Sequence, residues 1–267
     1  MVLHTSTTIP ATGSIIACYA PNHNARLRLF CFPYAGGGAS IYRTWASGLP
    51  VDIEVCAIQL PGREARGQEQ PFTRLAEMVQ AIASGITPWL DKPYAFFGHS
   101  MGSHLAFELA RDLRRQGDPG PRHLFVSGRH APQMADPDPP IHHLPTPEFI
   151  DELRRLHGTP EEVLQHAELM ELLMPILRAD FAACETYEYA PEPPLNCPIT
   201  AFGGLEDASA DRDTMLAWRE QTSSAFSVQV FPGDHFFLHS ARPLLLQTIT
   251  GELTQLIRRL SGGISAS

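Results

Sequence analysis

The most distinctive chemical feature of the sequence is the pentapeptide Gly98-His99-Ser100-Met101-Gly102, which has the pattern G-x-S-x-G. It follows a short apolar run and precedes an amphipathic pattern, so it lies at a predicted strand-to-helix junction. Glycines on both sides of a serine allow a tight turn that neighbouring backbone can approach closely. Such a turn lifts the hydroxyl above the end of the strand, where the helix N-terminus favours developing negative charge. The junction therefore predicts Ser100 as a nucleophile rather than part of an ordinary glycine-rich turn.

A nucleophilic serine needs a histidine base, and the sequence offers twelve histidines. His235 directly follows the last predicted strand, where a loop returns over the sheet edge, and it is the predicted base. His239 is the alternative if that loop continues as a helix. His130 follows an earlier strand but precedes the expected acid, and His99 flanks the serine and cannot face it. The other histidines lie in the tail, in helices, on a strand or in an insertion, which is typical of solvated side chains.

The orienting carboxylate is expected between the serine and the histidine in chain order. Asp207 comes shortly after two glycines that follow a predicted strand, a position that holds a side chain rigidly, and it is the predicted acid. Glu206 is its neighbour, while Asp211 and Asp213 lead into a helix, where acidic residues commonly cap the N-terminus.

An oxyanion hole needs two converging backbone N–H groups. The first is expected from Met101, the residue after the nucleophile. The second is expected from Ala35, in a loop that follows an early strand and continues with three glycines. A phosphate-binding loop is the alternative, but no Gly-Lys-Ser or Gly-Lys-Thr follows.

Composition limits the kinds of protein that can carry this site. The chain has 267 residues, 43% of them hydrophobic, which is enough for a large core, and its net charge of −9 argues against nucleic-acid binding. Its five cysteines are odd in number and widely spaced, which favours reduced thiols in the cytoplasm over disulfides or a zinc site. The N-terminus lacks the pattern of a secretory signal, and no apolar run is long enough to span a membrane.

Short apolar runs alternate with helical patterns from residue 26 onward, which predicts a mostly parallel sheet flanked by helices. The predicted strands are Leu27–Phe32, Ile53–Ile58, Tyr94–Phe97, His123–Val126, Ile199–Phe202 and Ser227–Phe231. The predicted helices flanking the sheet are Thr73–Leu90, Ser103–Gln116 and Pro243–Leu260.

The alternation stops at about residues 132–190, which are predicted as a helical insertion in a single domain that spans residues 1–267. An amphipathic stretch covers Pro147–His157, a capping-box pattern starts at Thr159, and a longer helical pattern contains Pro175 as a kink or restart. Insertions of this size commonly act as lids or binding loops.

The sequence resembles the α/β-hydrolase superfamily, and within it the type II (editing) thioesterases of polyketide and non-ribosomal peptide biosynthesis. The segments that carry the resemblance are Phe32-Pro33-Tyr34-Ala35-Gly36-Gly37, Gln59-Leu60-Pro61-Gly62-Arg63-Glu64, Gly98-His99-Ser100-Met101-Gly102, Leu177-Arg178-Ala179-Asp180 and Gly233-Asp234-His235-Phe236-Phe237. The resemblance extends from about residue 26 to residue 260, and it implies the triad and oxyanion donors already chosen from the residues.

The resemblance also implies a partner and a substrate. Enzymes of this family hydrolyse acyl groups from the phosphopantetheine arm of acyl or peptidyl carrier proteins, act as monomers, and need no metal or other cofactor. Their helical insertion is a lid over an acyl channel. Apolar insertion residues that would line this channel, although helix packing explains them equally well, are Leu169, Met170, Leu173, Met174 and Leu177. Arg63 and Arg66 are candidates for contact with the arm or an acidic carrier, with a solvated loop as the favoured interpretation.

Two other functions use the same residues. A carboxylesterase or lipase would cut oxygen esters with the same triad. The loop in this chain is Pro-Tyr-Ala-Gly-Gly, unlike the HGGG-type loop of many esterases, and this difference favours thioesters as the substrate. A non-catalytic carrier-binding homologue is the second alternative, and the complete set of triad residue types argues against it.

Overall fold

A single mixed sheet organises the computed structural model, which describes residues 13–136, 138–156 and 161–262. The strands of this sheet in the described residues are β1 (Ile16–Ala17), β2 (Leu27–Phe32), β3 (Ile53–Ile58), β4 (Tyr94–His99), β5 (Leu124–Ser127), β6 (Ile199–Gly204) and β7 (Phe226–Phe231). Their spatial order is β1-β3-β2-β4-β5-β6-β7. All neighbours are parallel except β1, which pairs antiparallel with β3.

The central strands form because most of their residues on both faces are apolar, and the buried Arg28 of β2 pairs with Glu54 of β3. Every residue of β2, β3 and β4 is buried, as expected for parallel strands covered by helices on both sides. The six predicted strands are all present, with β4 and β6 each two residues longer than predicted. The two-residue edge strand β1 was not predicted, because a strand that short has no readable alternation.

Helices cover both faces of the sheet. In chain order they are α1 (Leu75–Ile86), α2 (Met101–Arg115), α3 (Thr146–Arg155), α4 (Glu161–Leu164), α5 (Ala167–Glu185), α6 (Arg212–Leu216), α7 (Phe237–Ser240) and α8 (Arg242–Gly262). Side chains of α1 and α2 pack against one face of the sheet, and those of α8 pack against the other. None of the helices in the described residues is long and apolar enough to cross a membrane.

Proline affects two of the predicted helices differently. The helix predicted to reach Leu90 ends at Ile86 and is followed by a 3-10 turn over Thr87–Trp89, because Pro88 cannot continue the α-helical hydrogen bonding. In α5, by contrast, Pro175 lies inside a continuous helix, so it does not restart the helix there.

Helices α3, α4 and α5 lie between β5 and β6, within the predicted insertion, and we call residues 138–156 and 161–185 the lid. The lid has its own apolar core, which includes Phe149, Leu153, Leu164, Met170 and Leu177. The predicted capping residue Thr159 lies outside the described residues. The lid sits beyond the carboxyl edge of the parallel strands, where open α/β sheets bind their ligands.

Candidate active site

Ser100 occupies a strained turn between β4 and α2. Its φ is +53° and its ψ is −119°, a combination that side chains rarely adopt. The turn requires both glycines of the pentapeptide: a Cβ at Gly98 would collide with the Gly102 carbonyl, and a Cβ at Gly102 would collide with the Phe32 carbonyl. The Ser100 N–H donates to the Ser127 carbonyl at 2.7 Å, which fixes the turn against β5.

Asp207 and His235 form a hydrogen-bonded pair. Asp207 follows β6, His235 follows β7, and His235 Nδ1 lies 2.9 Å from Asp207 Oδ2. Burial alone would raise the pKa of the Asp207 carboxyl, but hydrogen bonds from His235 and Ser209 outweigh it and hold that pKa below its usual value. An ionised carboxylate only accepts hydrogen bonds, so a neutral His235 carries its proton on Nδ1 and leaves Nε2 as an acceptor.

Ser209 contacts both members of this pair, and it was not identified as a site residue from the sequence. Its hydroxyl donates to Asp207 Oδ1 at 2.6 Å, its backbone N–H donates to the same oxygen at 3.0 Å, and its Oγ lies 3.2 Å from His235 Nδ1. The Asp207-Ala208-Ser209 spacing is that of an Asx-type turn, in which an aspartate accepts from the residue two positions later. That local signal was available in the sequence.

The competing residues are engaged elsewhere. His239 lies in the short helix α7, and its Nε2 is 3.1 Å from the Tyr34 hydroxyl. Asp211 caps α6 by accepting from the Thr214 N–H at 2.8 Å. The geometry therefore favours Asp207 and His235 over both alternatives.

Ser100, His235 and Ala35 meet at one cavity of about 130 Å³ between the sheet edge and the lid. The Gly37 N–H donates to the Tyr34 carbonyl at 2.9 Å, so the loop after β2 turns tightly. Within the described chain, the amides of Ala35 and Met101 donate no hydrogen bond to protein atoms. Amides without a protein acceptor on the two loops beside a serine are the groups that an oxyanion hole would use.

His99, which the sequence placed out of reach of the serine, lies fully buried beneath the predicted base. Its ring centroid is 5.1 Å from that of His235, and its Nδ1 lies 2.8 Å from the Ser127 hydroxyl. Burial, and next the nearby His235 ring, hold the pKa of His99 well below its usual value. Gly128 makes room for both rings, because a Cβ there would lie 2.8 Å from His99 and 3.3 Å from His235.

One of the five predicted channel residues, Leu177, lies on the cavity wall. Met170 is buried in the lid core with Leu173 and Met174 packed beside it, and Leu169 is 37% exposed. The prediction is corrected for these four, because the apolar pattern of α5 serves two purposes along its length. Both halves of the helix pack on the lid core, and the second half also faces the cavity through residues spaced three and four apart: Leu177, Phe181 and Cys184.

The preference for a solvated loop at Arg63 is also corrected. Arg63 is only 4% exposed and forms a two-pronged ion pair with the fully buried Asp180 of α5, at 2.7 and 2.8 Å. Arg66 pairs with Glu69 and donates to the Gln59 carbonyl. Neither head group is therefore a free cation. The sequence did not indicate these contacts, because Asp180 is distant in sequence from Arg63 and an arginine three residues before a glutamate is a common pattern.

Beside Leu177 and Phe181, the cavity has a polar wall. The Arg129 guanidinium donates to Asp136 at 2.9 Å, and His130 lies next to them on the same wall.

The whole arrangement, with a strained serine turn after a central parallel strand and the acid and histidine on loops after β6 and β7, is that of an α/β-hydrolase.

Comparison with known proteins identifies the family. Residues 27–253 match the thioesterase-domain family. Over 232 residues the chain is 52% identical to the gramicidin S biosynthesis protein GrsT of Aneurinibacillus migulanus, which covers 87% of this chain and 91% of GrsT. The chain belongs to the thioesterase family.

Solved structures agree. RedJ, a thioesterase from the prodiginine pathway of Streptomyces coelicolor, is 40% identical with a TM-score of 0.81, over 87% of this chain and 90% of RedJ. BorB, the type II thioesterase of the borrelidin cluster, is 38% identical with a TM-score of 0.83, over 91% of this chain and 100% of BorB. These findings confirm the predicted α/β-hydrolase fold, the resemblance to type II thioesterases and the assignment as a thioester hydrolase.

Proposed function

We propose that this thioesterase removes acyl groups from the phosphopantetheine arm of acyl or peptidyl carrier proteins, clearing stalled or mis-primed synthases. The observation that carries the proposal is the meeting of Ser100 with the Asp207–His235 pair at a cavity beneath the lid. Its relatives support the substrate class, since RedJ and BorB are thioesterases from biosynthetic pathways and GrsT belongs to gramicidin S biosynthesis.

In the first half of the reaction, Ser100 Oγ attacks the thioester carbonyl while His235 Nε2 accepts its proton. Asp207 holds the ring through Nδ1 and stabilises the imidazolium that forms. The carbonyl oxygen becomes an oxyanion that the Ala35 and Met101 amides bind, each contributing about 3 kcal/mol in comparable sites. The C–S bond then breaks, and the thiolate leaves with the proton from His235; a thiol of pKa near 8.5 is a good leaving group.

In the second half, water attacks the acyl-serine ester. His235 takes a proton from the water, the same amides bind the second oxyanion, and the C–O bond to Ser100 breaks. The proton returns to Ser100 and the acid leaves. Every proton and electron pair in these steps is handled by the named side chains and amides, so the scheme calls for no metal or organic cofactor.

The proposal also covers where the protein acts and how it meets its partner. We propose a cytoplasmic monomer that meets its carrier protein transiently, because the phosphopantetheine arm alone has to enter the cavity. In support of a reducing compartment, the cysteines are all free thiols in the structure, including Cys18 and Cys56, whose sulfur atoms lie 3.7 Å apart.

The experiment is a release assay on loaded carrier proteins. A panel of carriers bearing different acyl groups is incubated with wild type or with Ser100→Ala, and acyl loss is followed by intact mass. Free acyl thioesters and a matched p-nitrophenyl ester are run alongside. Serine-dependent release that is faster from the carrier than from the free thioester supports the proposal.

Two results would overturn it. Release from the oxygen ester alone would make the protein a carboxylesterase. Failure of a fluorophosphonate to label Ser100 would indicate a carrier-binding homologue without this nucleophile.

A further inference from the structure

Three segments that are distant in sequence meet at the Asp180 carboxylate. Asp180 lies in the second half of the lid helix α5, Arg63 lies in the loop after β3, and Gly36 lies in the loop after β2. Asp180 Oδ2 accepts from Arg63 at 2.7 Å and from the Gly36 N–H at 2.7 Å, while Oδ1 accepts from Arg63 at 2.8 Å. One buried carboxylate therefore holds the lid, the β3 loop and the β2 loop together.

The ion pair alone does not explain why charge is used here. Asp180 and Arg63 are buried at 0% and 4% exposure, and apolar residues of similar size commonly replace buried pairs without loss of stability. An apolar side chain would, however, give the Gly36 N–H no acceptor. A carboxylate at position 180 is the group that satisfies this amide, and Arg63 neutralises the carboxylate.

The Gly36 amide matters because it belongs to the peptide that joins Ala35 to Gly36. Fixing its N–H fixes the plane of that peptide. The Ala35 N–H lies in the adjoining Tyr34–Ala35 peptide, whose Tyr34 carbonyl accepts from the Gly37 N–H at 2.9 Å, so the peptides on both sides of the Ala35 Cα are held. Arg63 holds the other side of the loop by donating to the Gly37 carbonyl at 3.1 Å. Leu177 of α5 packs on the same spot, since a Cβ at Gly36 would lie 2.6 Å from its Cδ2.

We propose that Asp180 and Arg63 are positioning residues for the oxyanion hole, so that the second half of the lid helix is part of the catalytic scaffold. This inference rests on the proposed role of Ala35 as an oxyanion donor. Asp180 acts through the Gly36 amide and does not touch the reacting atoms.

The test compares two double variants that both lack the ion pair. Arg63→Met/Asp180→Asn keeps an oxygen acceptor for the Gly36 amide, and Arg63→Met/Asp180→Leu removes it while keeping the same number and branching of side-chain heavy atoms at position 180. The main readout is the rate of Ser100 phosphonylation by a fluorophosphonate, measured by intact mass. In that reaction the Ser100 Oγ–P bond forms, the P–F bond breaks with loss of fluoride, and His235 takes the serine proton, while the phosphoryl oxygen occupies the oxyanion hole.

We expect the asparagine double variant to react within about threefold of wild type. The leucine double variant should react about 10- to 100-fold more slowly, since misplacing one oxyanion donor costs up to that much. In thioester hydrolysis the loss should appear in kcat with little change in KM. Glu54→Gln is the matched control, because it breaks the buried Arg28–Glu54 pair, which lies at the amino end of β2 and β3, away from Ser100. This control should lower the melting temperature and leave phosphonylation unchanged.

Equal rates for the two double variants, or an equal loss in the control, would overturn the inference. Failure of the proposed function looks different: wild type would not release acyl groups from carriers, yet its phosphonylation would still depend on residue 180. An absence of phosphonylation in wild type would remove the nucleophile and the inference together.

Discussion

At the scale of single residues, Ser209 is the side chain whose role can be tested most directly. Its hydroxyl donates to the oxygen of Asp207 that His235 does not use. We expect Ser209→Ala to lower kcat about tenfold, because a hydrogen bond to a charged group is worth roughly 1.5–3 kcal/mol and part of it orients the base. Steady-state kinetics on an acyl thioester measures the change. Ser209→Thr keeps a hydroxyl and should recover most of the activity; an inactive threonine variant with an active alanine variant would contradict this role.

The two histidines near the end of the chain make a matched pair. We expect His235→Ala to lower kcat/KM by at least about 10³-fold, because it removes the proposed base. His239→Ala should stay within a few-fold of wild type, because His239 bonds to the Tyr34 hydroxyl rather than to an acid. Circular dichroism confirms that both variants fold. A deeper loss in His239→Ala would show that the base has been misassigned.

The sequence predicts a site residue when the pattern that marks it lies in the neighbouring residues, and it does not predict one that is defined by a contact with a distant residue. Ser100, Asp207 and His235 each follow a strand that ends in glycine or in a tight turn, so their position at the sheet edge was predictable. Arg63 and Asp180 are 117 positions apart, and a single polar contact over that distance leaves no periodic pattern. The solvated loop expected at Arg63 was therefore wrong, although the residue had been singled out.

At the scale of elements, α5 determines the size of the cavity. Phe181 reaches the cavity wall from the second half of the helix and meets Phe149 of the lid core edge-on, with ring centroids 5.7 Å apart. We expect Phe181→Ala to enlarge the cavity and to raise the kcat/KM ratio of octanoyl to acetyl thioesters about tenfold, since each extra buried methylene is worth roughly 0.8 kcal/mol.

The control for this change lies on the same helix. Leu172 is 72% exposed, so Leu172→Ala alters α5 without altering the cavity, and its substrate ratio should match wild type. An unchanged ratio in Phe181→Ala would show that acyl chains lie elsewhere. The sequence predicted an amphipathic helix here, but it did not indicate which half faced the cavity, because both halves are apolar.

At the scale of the whole molecule, three buried histidines link stability to pH. Burial, as the main cause, lowers the pKa of His99 and His104 well below 6.5 and that of His123 to about 4. Below pH 6.5 the unfolded chain binds protons at these side chains while the folded chain does not, so the free energy of unfolding falls as pH falls. Each histidine adds a slope of up to about 1.4 kcal/mol per pH unit, from about pH 6.5 down to about pH 4 for His123.

Urea unfolding at several pH values between 7.5 and 4.5 measures this slope. His123→Gln removes one titrating group far from Ser100, at the amino end of β5, and should reduce the slope by up to about 1.4 kcal/mol per pH unit. Parallel slopes for wild type and variant would contradict the assignment. Carboxylates with a lowered pKa, such as Asp207, stabilise the fold above about pH 3.8 and lose that contribution only at still lower pH.

The contact of Asp180 with Arg63 and Gly36 also bears on how such enzymes can be recombined. A chimera that takes residues 138–185 from a relative keeps Arg63 and the Gly36 amide from the recipient, and it succeeds at this point only if the donor helix supplies a matching acceptor. The exchangeable unit is therefore discontinuous: it comprises the lid together with the loops after β2 and β3. Crossover sites chosen at the ends of β5 and β6 alone would divide that unit.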